Sequence, residues 1–336
     1  MNCWYTQSAK EDDIVISSRI RLARNLKNIP FPIKMDTNDF QKINETVKNA
    51  VKSSNTPYAK NLKFIYMKDV PQNERYAMVE RHIISKEFAS NCENKAIILS
   101  EDESISIMIG EEDHIRLQVL LPGLQIEKAY DIAESIDRLL CDTLDIAFDN
   151  RLGFLTECPT NLGTGLRASV MVHLPIIEGS GEIKILADSV NKIGFTVRGM
   201  YGEGSKPTAS FYQISNQITL GISEKNAIDN LNIITKQIIE KERKNRESIN
   251  RLKAEDICMR ALGTLKYAKI LDSSEMMKAL SEIKLGLSIG VMDDERIMPI
   301  KLLVEGQPFM LMRKFGEMSP DERDVCRATM IREALS

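Results

Sequence analysis

The chain has 336 residues, 43% of them hydrophobic and 28% charged, with a formal net charge of -3. That length is enough for two domains and a sizeable core, and the near-neutral charge gives no general pull towards nucleic acid or anionic lipid. No apolar run approaches the roughly 20 residues needed to cross a bilayer, and the opening "MNCWYTQSAKEDD" has no apolar signal core, so a cytoplasmic protein without membrane or direct nucleic-acid partners is expected.

Alternating apolar residues in "DIVISSRIRLARNL" (13–26) predict a strand, and "DTNDFQKINETVKNAV" (36–51) a helix opened by a capping residue. A short strand "LKFIYM" (62–67) and a helix over 71–84, with Pro71 in its first turn, come next. "KAIILS", "SISIMIG" and "IRLQVLLPG" read as strands around an acidic turn, "GEEDH". From Gln125 to Phe148 the period changes: Ile126, Tyr130, Ala133, Ile136, Leu140 and Leu144 mark one face of an amphipathic helix. Strands "LRASVMVHLP", "GFTVRGM" and "FYQISNQITLG" follow. From Ser223 the pattern is helical, with one long helix carried through "SEKNAIDNLNIITKQIIEKERKNRESINRLKAE". Further helices are expected at about 255–270, 273–290, 298–316 and 320–335, the last opened by the Ser-Pro-acid signal "SPDERD". The whole is an α+β arrangement: a mixed sheet-and-helix domain over 1–250 and an all-helical one over 251–336, joined firmly by the helix that spans them.

The six cysteines, at 3, 92, 141, 158, 258 and 326, form no CxxC pair, and the three histidines, His82, His114 and His173, have no paired spacing. A reduced compartment fits, and no protein-held metal site is expected. No GxxxxGK[ST] loop and no kinase-type GxGxxG occurs. "GEGSKP" is phosphate-friendly, but alone it reads equally as an ordinary connection. The arginines carry more. Arg19, Arg21, Arg116, Arg167 and Arg198 each sit in or beside an apolar strand. Any one reads as a salt bridge or an edge residue with its head in water. Five together need anions, and guanidinium forks match phosphate oxygens.

The segments "SSRIRLARN", "GEEDHIRLQ", "CPTNLGTGLRASV" and "VRGMYGEGS…YQISNQITLG", in that order over about 13–250, closely resemble the catalytic domain of the phosphagen (guanidino) kinases. Within that family the nearest likeness is to its bacterial protein-arginine kinase branch, and "RDVCRA" (323–328) resembles a motif of that branch's C-terminal domain. The resemblance implies a mostly antiparallel sheet flanked by helices, with ATP and Mg2+ as requirements. It implies nucleotide contacts along Ser18, Arg19, Ile20, Arg21 and Leu22, at His82 and Arg116, along Arg167, Ala168, Ser169, Val170 and Met171, and along Arg198, Gly199, Met200, Tyr201, Gly202 and Glu203. Glu112 matches the carboxylate that holds the target guanidinium, Glu203 a second acid on the acceptor side, and Cys158 a cysteine that contacts the guanidino group. Read as a bare residue before Pro159, Cys158 is more often a small buried hydrophobe. Gly110 stands where the family usually carries Asn, which takes a side-chain hydrogen bond out of the turn.

A guanidinium is cationic and delocalised, with a pKa above about 12, so its nitrogen is a poor nucleophile. A carboxylate that grips two N–H groups and takes a proton during transfer answers that difficulty. Glu111 and Asp113 beside it add negative field or bind metal through water.

Family members acting on small guanidino compounds carry a helical domain before the first arginine motif. Here 18 residues precede Arg19, which suits an acceptor displayed on a polypeptide. In "RDVCRA", Arg323, Asp324, Arg327 and Ala328 read either as a solvated charged face or, by resemblance, as a phosphoarginine pocket coupled to activity. The resemblance further implies a homodimer or higher oligomer, a role in stress response and protein quality control, and as partners a zinc-binding activator, a Clp ATPase and a stress-gene repressor. Two rival functions are a kinase of free arginine or another small guanidino compound, and a phosphoarginine receptor without catalysis.

Overall fold

A computed structural model of the chain describes residues 3–53, 58, 61–200, 209–294 and 296–336. Its spine is an eight-stranded sheet in the order β2-β3-β4-β5-β1-β8-β10-β9, every pair antiparallel. The strands of the first half are β1 (Val15–Arg24), β2 (Lys63–Tyr66), β3 (Ala96–Leu99), β4 (Ile105–Ile109) and β5 (Ile115–Pro122). Between them lie α1 (Thr37–Lys52), α2 (Gln72–Glu80) and α3 (Lys86–Ser90). After α4 (Ile126–Thr143) a small hairpin, β6 (Phe148–Asp149) with β7 (Gly153–Phe154), leads to β8 (Leu166–His173). Helices α5 (Pro175–Gly179) and α6 (Ile183–Asn191) precede β9 (Phe195–Gly199) and β10 (Phe211–Asn216). The rest is helical: α7 (Glu224–Glu247), α8 (Arg251–Tyr267), α9 (Ser273–Ser288), α10 (Pro299–Glu305), α11 (Pro308–Phe315) and α12 (Pro320–Ala334). Among the described residues no helix is long and apolar enough to cross a membrane.

The period of two in the strands divides the sheet into unlike faces. Ile20, Leu22, Leu117, Val119, Ala168, Val170 and Ile214 are all buried on one face, against the apolar stripes of α4 and α7. Ile132, Ile136 and Leu140 supply the first stripe, and Ile228, Leu231 and Ile238 the second. Fully burying each such side chain contributes roughly 1.5–3 kcal/mol, so one face is closed and the other is left for polar chemistry. A second core lies at one end of the open face. There Trp4, Ile16, Leu120, Met171 and Phe211 pack with Leu265, Leu280, Ile283, Leu302 and Ile331 of the helical region.

Three helix boundaries differ from the sequence reading. The long helix breaks at Ser248–Asn250, where the Asn250 side chain accepts from Lys253 N and starts a new helix. The segment 298–316 is two helices, because α10 ends at Gly306 and Gln307 is extended just before Pro308 starts α11. The helix expected over 71–84 stops at Glu80, and His82 turns left-handed at φ 60°. The firm junction holds by another route. Lys284 Nζ donates to Asp12 O at 2.7 Å, His173 Nε2 meets Ser281 Oγ at 2.8 Å, and Glu80 accepts from Phe309 N and Met310 N at 3.0 and 2.8 Å.

Candidate active site

Strand register gathers the arginines on the open face. Arg21 stands opposite Arg167 on β8 and Gln118 on β5, while Arg19 stands opposite Ser169 and Leu120. Arg116 is opposite Ala23, and Arg198 is opposite Gln213, which is itself opposite Met171. By alternation Arg19, Arg21, Arg116, Arg167 and Arg198 all project to one side, with Gln118 and Gln213 among them.

Cations outnumber anions here. Burial, then the charges of Arg116 and Arg167, push Arg19 down to about 10. Burial, then Arg19, Arg116 and Arg167, push Arg21 well below its ordinary value, and Glu111 pulls the other way. Arg21 Nε is buried with no hydrogen-bond partner. A guanidinium stays protonated in proteins, so a depressed value on two neighbours expresses a demand for negative charge. Arg19 is aimed by Gln213 Oε1 at 2.8 Å, and Arg167 by Asn216 O and Asn161 Oδ1 at 3.3 and 3.4 Å.

The acidic turn between β4 and β5 closes through Gly110 N donating to His114 O at 2.9 Å. Gly110 has φ +78°, and a Cβ there would lie 2.7 Å from the Phe40 ring. The three acids have three environments. Glu111 pairs with Arg116 at 2.6 Å, accepts from Ser85 Oγ at 2.6 Å, and accepts from Glu112 N at 2.8 Å. Burial alone would raise its pKa, but these partners bring it down to about 2. Asp113 is buried and accepts from Asn25 Nδ2 at 2.6 Å and Glu157 N at 2.8 Å. Burial raises its pKa. His114 accepts from Leu26 N on Nδ1, so Nε2 carries the proton and donates to Pro30 O at 2.7 Å. Burial lowers its pKa, which keeps it neutral. Asn25, Asp113 and His114 thus tie three loops into one frame.

Glu112 sits exposed at the apex of that frame. Partial burial raises its pKa first, with the charges of Asp113 and Glu111 adding, against Arg116 and a hydrogen bond with Cys158. Cys158 Sγ also lies 3.0 Å from Thr160 Oγ1. An exposed carboxylate of raised basicity beside a thiol, four residues before Arg116 of the arginine face, is equipped to hold a cation and take its proton.

His82 borders the other end of the face, in a pocket with Ser17, Arg19, Leu120, Ser169, Met171 and Gln213. Its carbonyl accepts from Gln118 Nε2 at 2.8 Å. Burial, then Arg19, push the ring down to about 3, so it is neutral and offers hydrogen bonding without added charge.

Other predicted positions lie elsewhere. Ile20, Leu22, Ala168 and Val170 point into the closed core, and Ser18 Oγ donates to Gly123 O at 2.8 Å. Their side chains do not reach the arginine face. Gly199 ends β9, and Met200 is buried in the second core. Tyr201, Gly202 and Glu203 lie outside the described residues. In α12, Arg323 and Asp324 are half-buried, while Ala328 is fully buried. Arg327 is 1% exposed and donates to Gly306 O, Leu271 O and Asp324 Oδ1. The solvated-face reading of this motif therefore fails at Arg327. Gln118, Gln213 and Asn25 went unnoticed in the sequence. Gln118 and Gln213 break apolar strands at in-phase positions, which was a usable signal, whereas Asn25 carried none.

Residues 42–245 match the family model of the ATP:guanido phosphotransferase C-terminal catalytic domain, and residues 251–336 that of the protein-arginine kinase McsB C-terminal domain. The protein-arginine kinase of Clostridium kluyveri is 45% identical over 100% of this chain and 99% of its own length. That of Caldanaerobacter subterraneus subsp. tengcongensis is 42% identical over 97% and 98%. Among solved structures, a duplicated taurocyamine kinase from Schistosoma mansoni superposes with a TM-score of 0.60 at 24% identity, over 70% of this chain and 35% of that one. A lombricine kinase superposes with 0.58 at 21%, over 71% and 70%. These two likenesses speak for the fold.

Proposed function

The chain belongs to the ATP:guanido phosphotransferases and, within them, to the protein-arginine kinases; from that premise we propose how its residues divide the transfer of a phosphoryl group from ATP to arginine side chains of proteins. The observation that carries the division is the exposed carboxylate Glu112 at the acidic turn that also supplies Arg116 to a face where Arg19 and Arg21 are held below their ordinary pKa by burial and by neighbouring arginines. Arg19, Arg21, Arg116, Arg167 and Arg198 hold the triphosphate, and His82 holds the nucleoside end. Phosphoryl transfer is mainly positioning and charge stabilisation, which rigid strands provide. Glu112 grips the target guanidinium and accepts one N–H proton as that nitrogen bonds to the γ-phosphorus and the bond to ADP breaks. Cys158 steers the carboxylate or touches the guanidinium, and Glu203, outside the described residues, keeps by family likeness the role of a second acceptor-side acid.

ATP enters as its magnesium complex. Among the described residues no group of three or more His, Cys, Asp or Glu is arranged to hold a metal. Mg2+ characteristically keeps several waters and rides on phosphates, so it accompanies the nucleotide and shields its charge.

We assign residues 1–250 to catalysis and 251–336 to assembly and product sensing. The α8 stripe Leu252, Met259 and Tyr267, with Ile270 beyond it, is exposed by 52–78%. Such a stripe on one helix face supports a homodimer. A phosphoarginine at α12 would meet Arg323 and Asp324, with Arg327 and Ala328 as the frame. A cytoplasmic role in quality control, with a zinc-binding activator, a Clp ATPase and a stress-gene repressor as partners, completes the reading.

The test is incubation with ATP, Mg2+ and an arginine-rich unfolded protein, followed by phosphorus NMR. Acid-labile phosphate on the protein is expected. Label that survives acid would point to a hydroxyl acceptor, and faster turnover of free arginine to a small-molecule kinase.

A further inference from the structure

The acceptor side carries an apolar feature that the transfer chemistry leaves unused. Between β1 and α1 the chain reads Ile29-Pro30-Phe31-Pro32-Ile33, five apolar residues in a surface loop. Phe31 is 37% exposed and Ile33 79% exposed. Phe31 and Ile33, with Pro30 and Pro32 among them, put consecutive apolar residues at the surface, and a contiguous exposed patch, not a lone residue, is what marks an interaction surface. Ile29 packs against the main core, whereas Ile33 belongs to none of the apolar clusters among the described residues.

The loop is tied to the acceptor carboxylate from two directions. His114, two residues after Glu112, donates to Pro30 O at 2.7 Å. Glu157, the neighbour of Cys158, accepts from Ile33 N at 3.4 Å, and its own N–H donates to Asp113 at 2.8 Å. The loop, the acidic turn and the Cys158 loop are therefore one hydrogen-bonded unit with Glu112 at its apex. Proline at 30 and 32 restricts the backbone, so little freedom is lost when a ligand docks.

Its surroundings select the occupant. Glu157 takes a hydrogen bond from the loop itself at Ile33 N, and Asp36 and Asp39 follow it at the start of α1, acids that outnumber Lys34 beside Ile33. An acidic setting with an apolar wall fits a ligand that brings a cation and, a short distance along, an apolar group. Free arginine has nothing to place on Ile33. An extended polypeptide does, because its next side chains follow at about 3.3 Å per residue.

We propose that the Ile29–Ile33 loop docks an apolar residue flanking the target arginine in an extended polypeptide, so that the enzyme prefers arginines in segments whose apolar residues are uncovered. This rests on Glu112 being the acceptor carboxylate. Folded proteins bury most such residues, so the preference selects unfolded chain.

The test uses two peptides with a single arginine each, flanked by Leu and Val in one and by Gly and Ser in the other. They are compared on the full-length wild type, the F31S/I33S variant and the milder Ile33→Ala variant. In F31S/I33S the KM for the apolar-flanked peptide should rise about fivefold, with kcat, the KM for ATP and the melting temperature unchanged. The KM for the Gly/Ser peptide should not move. An equal rise for both peptides would make the loop a shaping element only, and no rise in either variant would remove it from recognition. A smaller sedimentation coefficient in F31S/I33S would reassign the loop to contact between copies. Failure of the wild type to label either peptide would sink the assignment of the acceptor itself.

Discussion

Glu111 and Arg116 form a 2.6 Å ion pair across the acidic turn, and the charge of Glu111 also offsets the lowering of the Arg21 pKa. The pair bears on the question the sequence left open, whether Glu111 and Asp113 beside Glu112 add negative field or bind metal through water. Glu111 balances the arginine face, Asp113 braces the loops, and Glu112 alone faces outward.

Removing Glu111 should therefore be felt as stability first. Its side chain is 5% exposed, and breaking such a pair leaves Arg116 uncompensated. Glu111→Gln should cost about 3 kcal/mol at pH 7 by denaturant titration. The sign with pH follows from a folded pKa of about 2, below the unfolded carboxylate value. The stabilisation is complete above the unfolded value and is lost as pH falls towards 2, so the gap between wild type and variant should close over that window. Added pyrophosphate should raise the melting temperature of the variant more than that of the wild type, because its arginine face has lost an anion.

Glu112→Gln should abolish transfer while leaving nucleotide binding intact. General-base contributions of about 10²–10⁴ are typical, and equilibrium dialysis with ATP should show no comparable loss. A base works deprotonated, and Glu112 has its pKa raised chiefly by burial. The acidic limb of the rate profile should thus lie above the ordinary carboxylate value. Retained activity in the glutamine variant would remove Glu112 from the role.

How far this was legible in the sequence depended on the kind of interaction. The arginine face could be read because alternation in β1, β5 and β8 makes in-phase positions visible without partners. The core-facing direction of Ile20, Leu22, Ala168 and Val170 was present in that same alternation, but the family motif hid it by treating whole segments as contacts. The end of α2 was not legible. "ERHII" continues a helical pattern, and only tertiary bonds, from Gln118 to His82 O and from Trp4 Nε1 to Arg81 O, hold His82 left-handed. The break at Ser248–Asn250 was signalled by the Ser and Asn themselves, and the charged helical pattern on either side masked it.

Gly110 offers a sharper case, because family likeness and local packing disagree there. Asparagine tolerates positive φ, so the family residue fits the backbone. It does not fit the space, since a Cβ would come 2.7 Å from Phe40. Gly110→Asn should destabilise by about 1–3 kcal/mol, and Gly110→Ala by a similar amount. Combining Gly110→Asn with Phe40→Ala should cost less than the sum of the two, a coupling that a double-mutant cycle reads directly. Additive losses would place the strain in the backbone alone.

The junction between the sheet and the terminal helices makes a prediction of the same pH sign as Glu111's, in an alkaline window. Lys284 is buried, and its ammonium donates to Asp12 O at 2.7 Å. Burial pushes it down to about 8, while Asp12 and Asp13 pull it up and Arg246 pushes it further down. The folded value is below that of an unfolded lysine, about 10.4, so between them the unfolded chain binds more protons than the native one. Stability contributed by this group must therefore rise with pH across about 8 to 10. Lys284→Met removes the titration and should flatten that slope in urea midpoints measured at pH 7.5, 8.5 and 9.5. The variant also leaves Asp12 O without its donor, a loss at every pH, and it should fall further behind the wild type as pH rises because only the wild type gains from the titration. If the wild-type midpoint falls with pH exactly as the variant's does, Lys284 keeps its ordinary pKa and the junction is wetter than its packing implies.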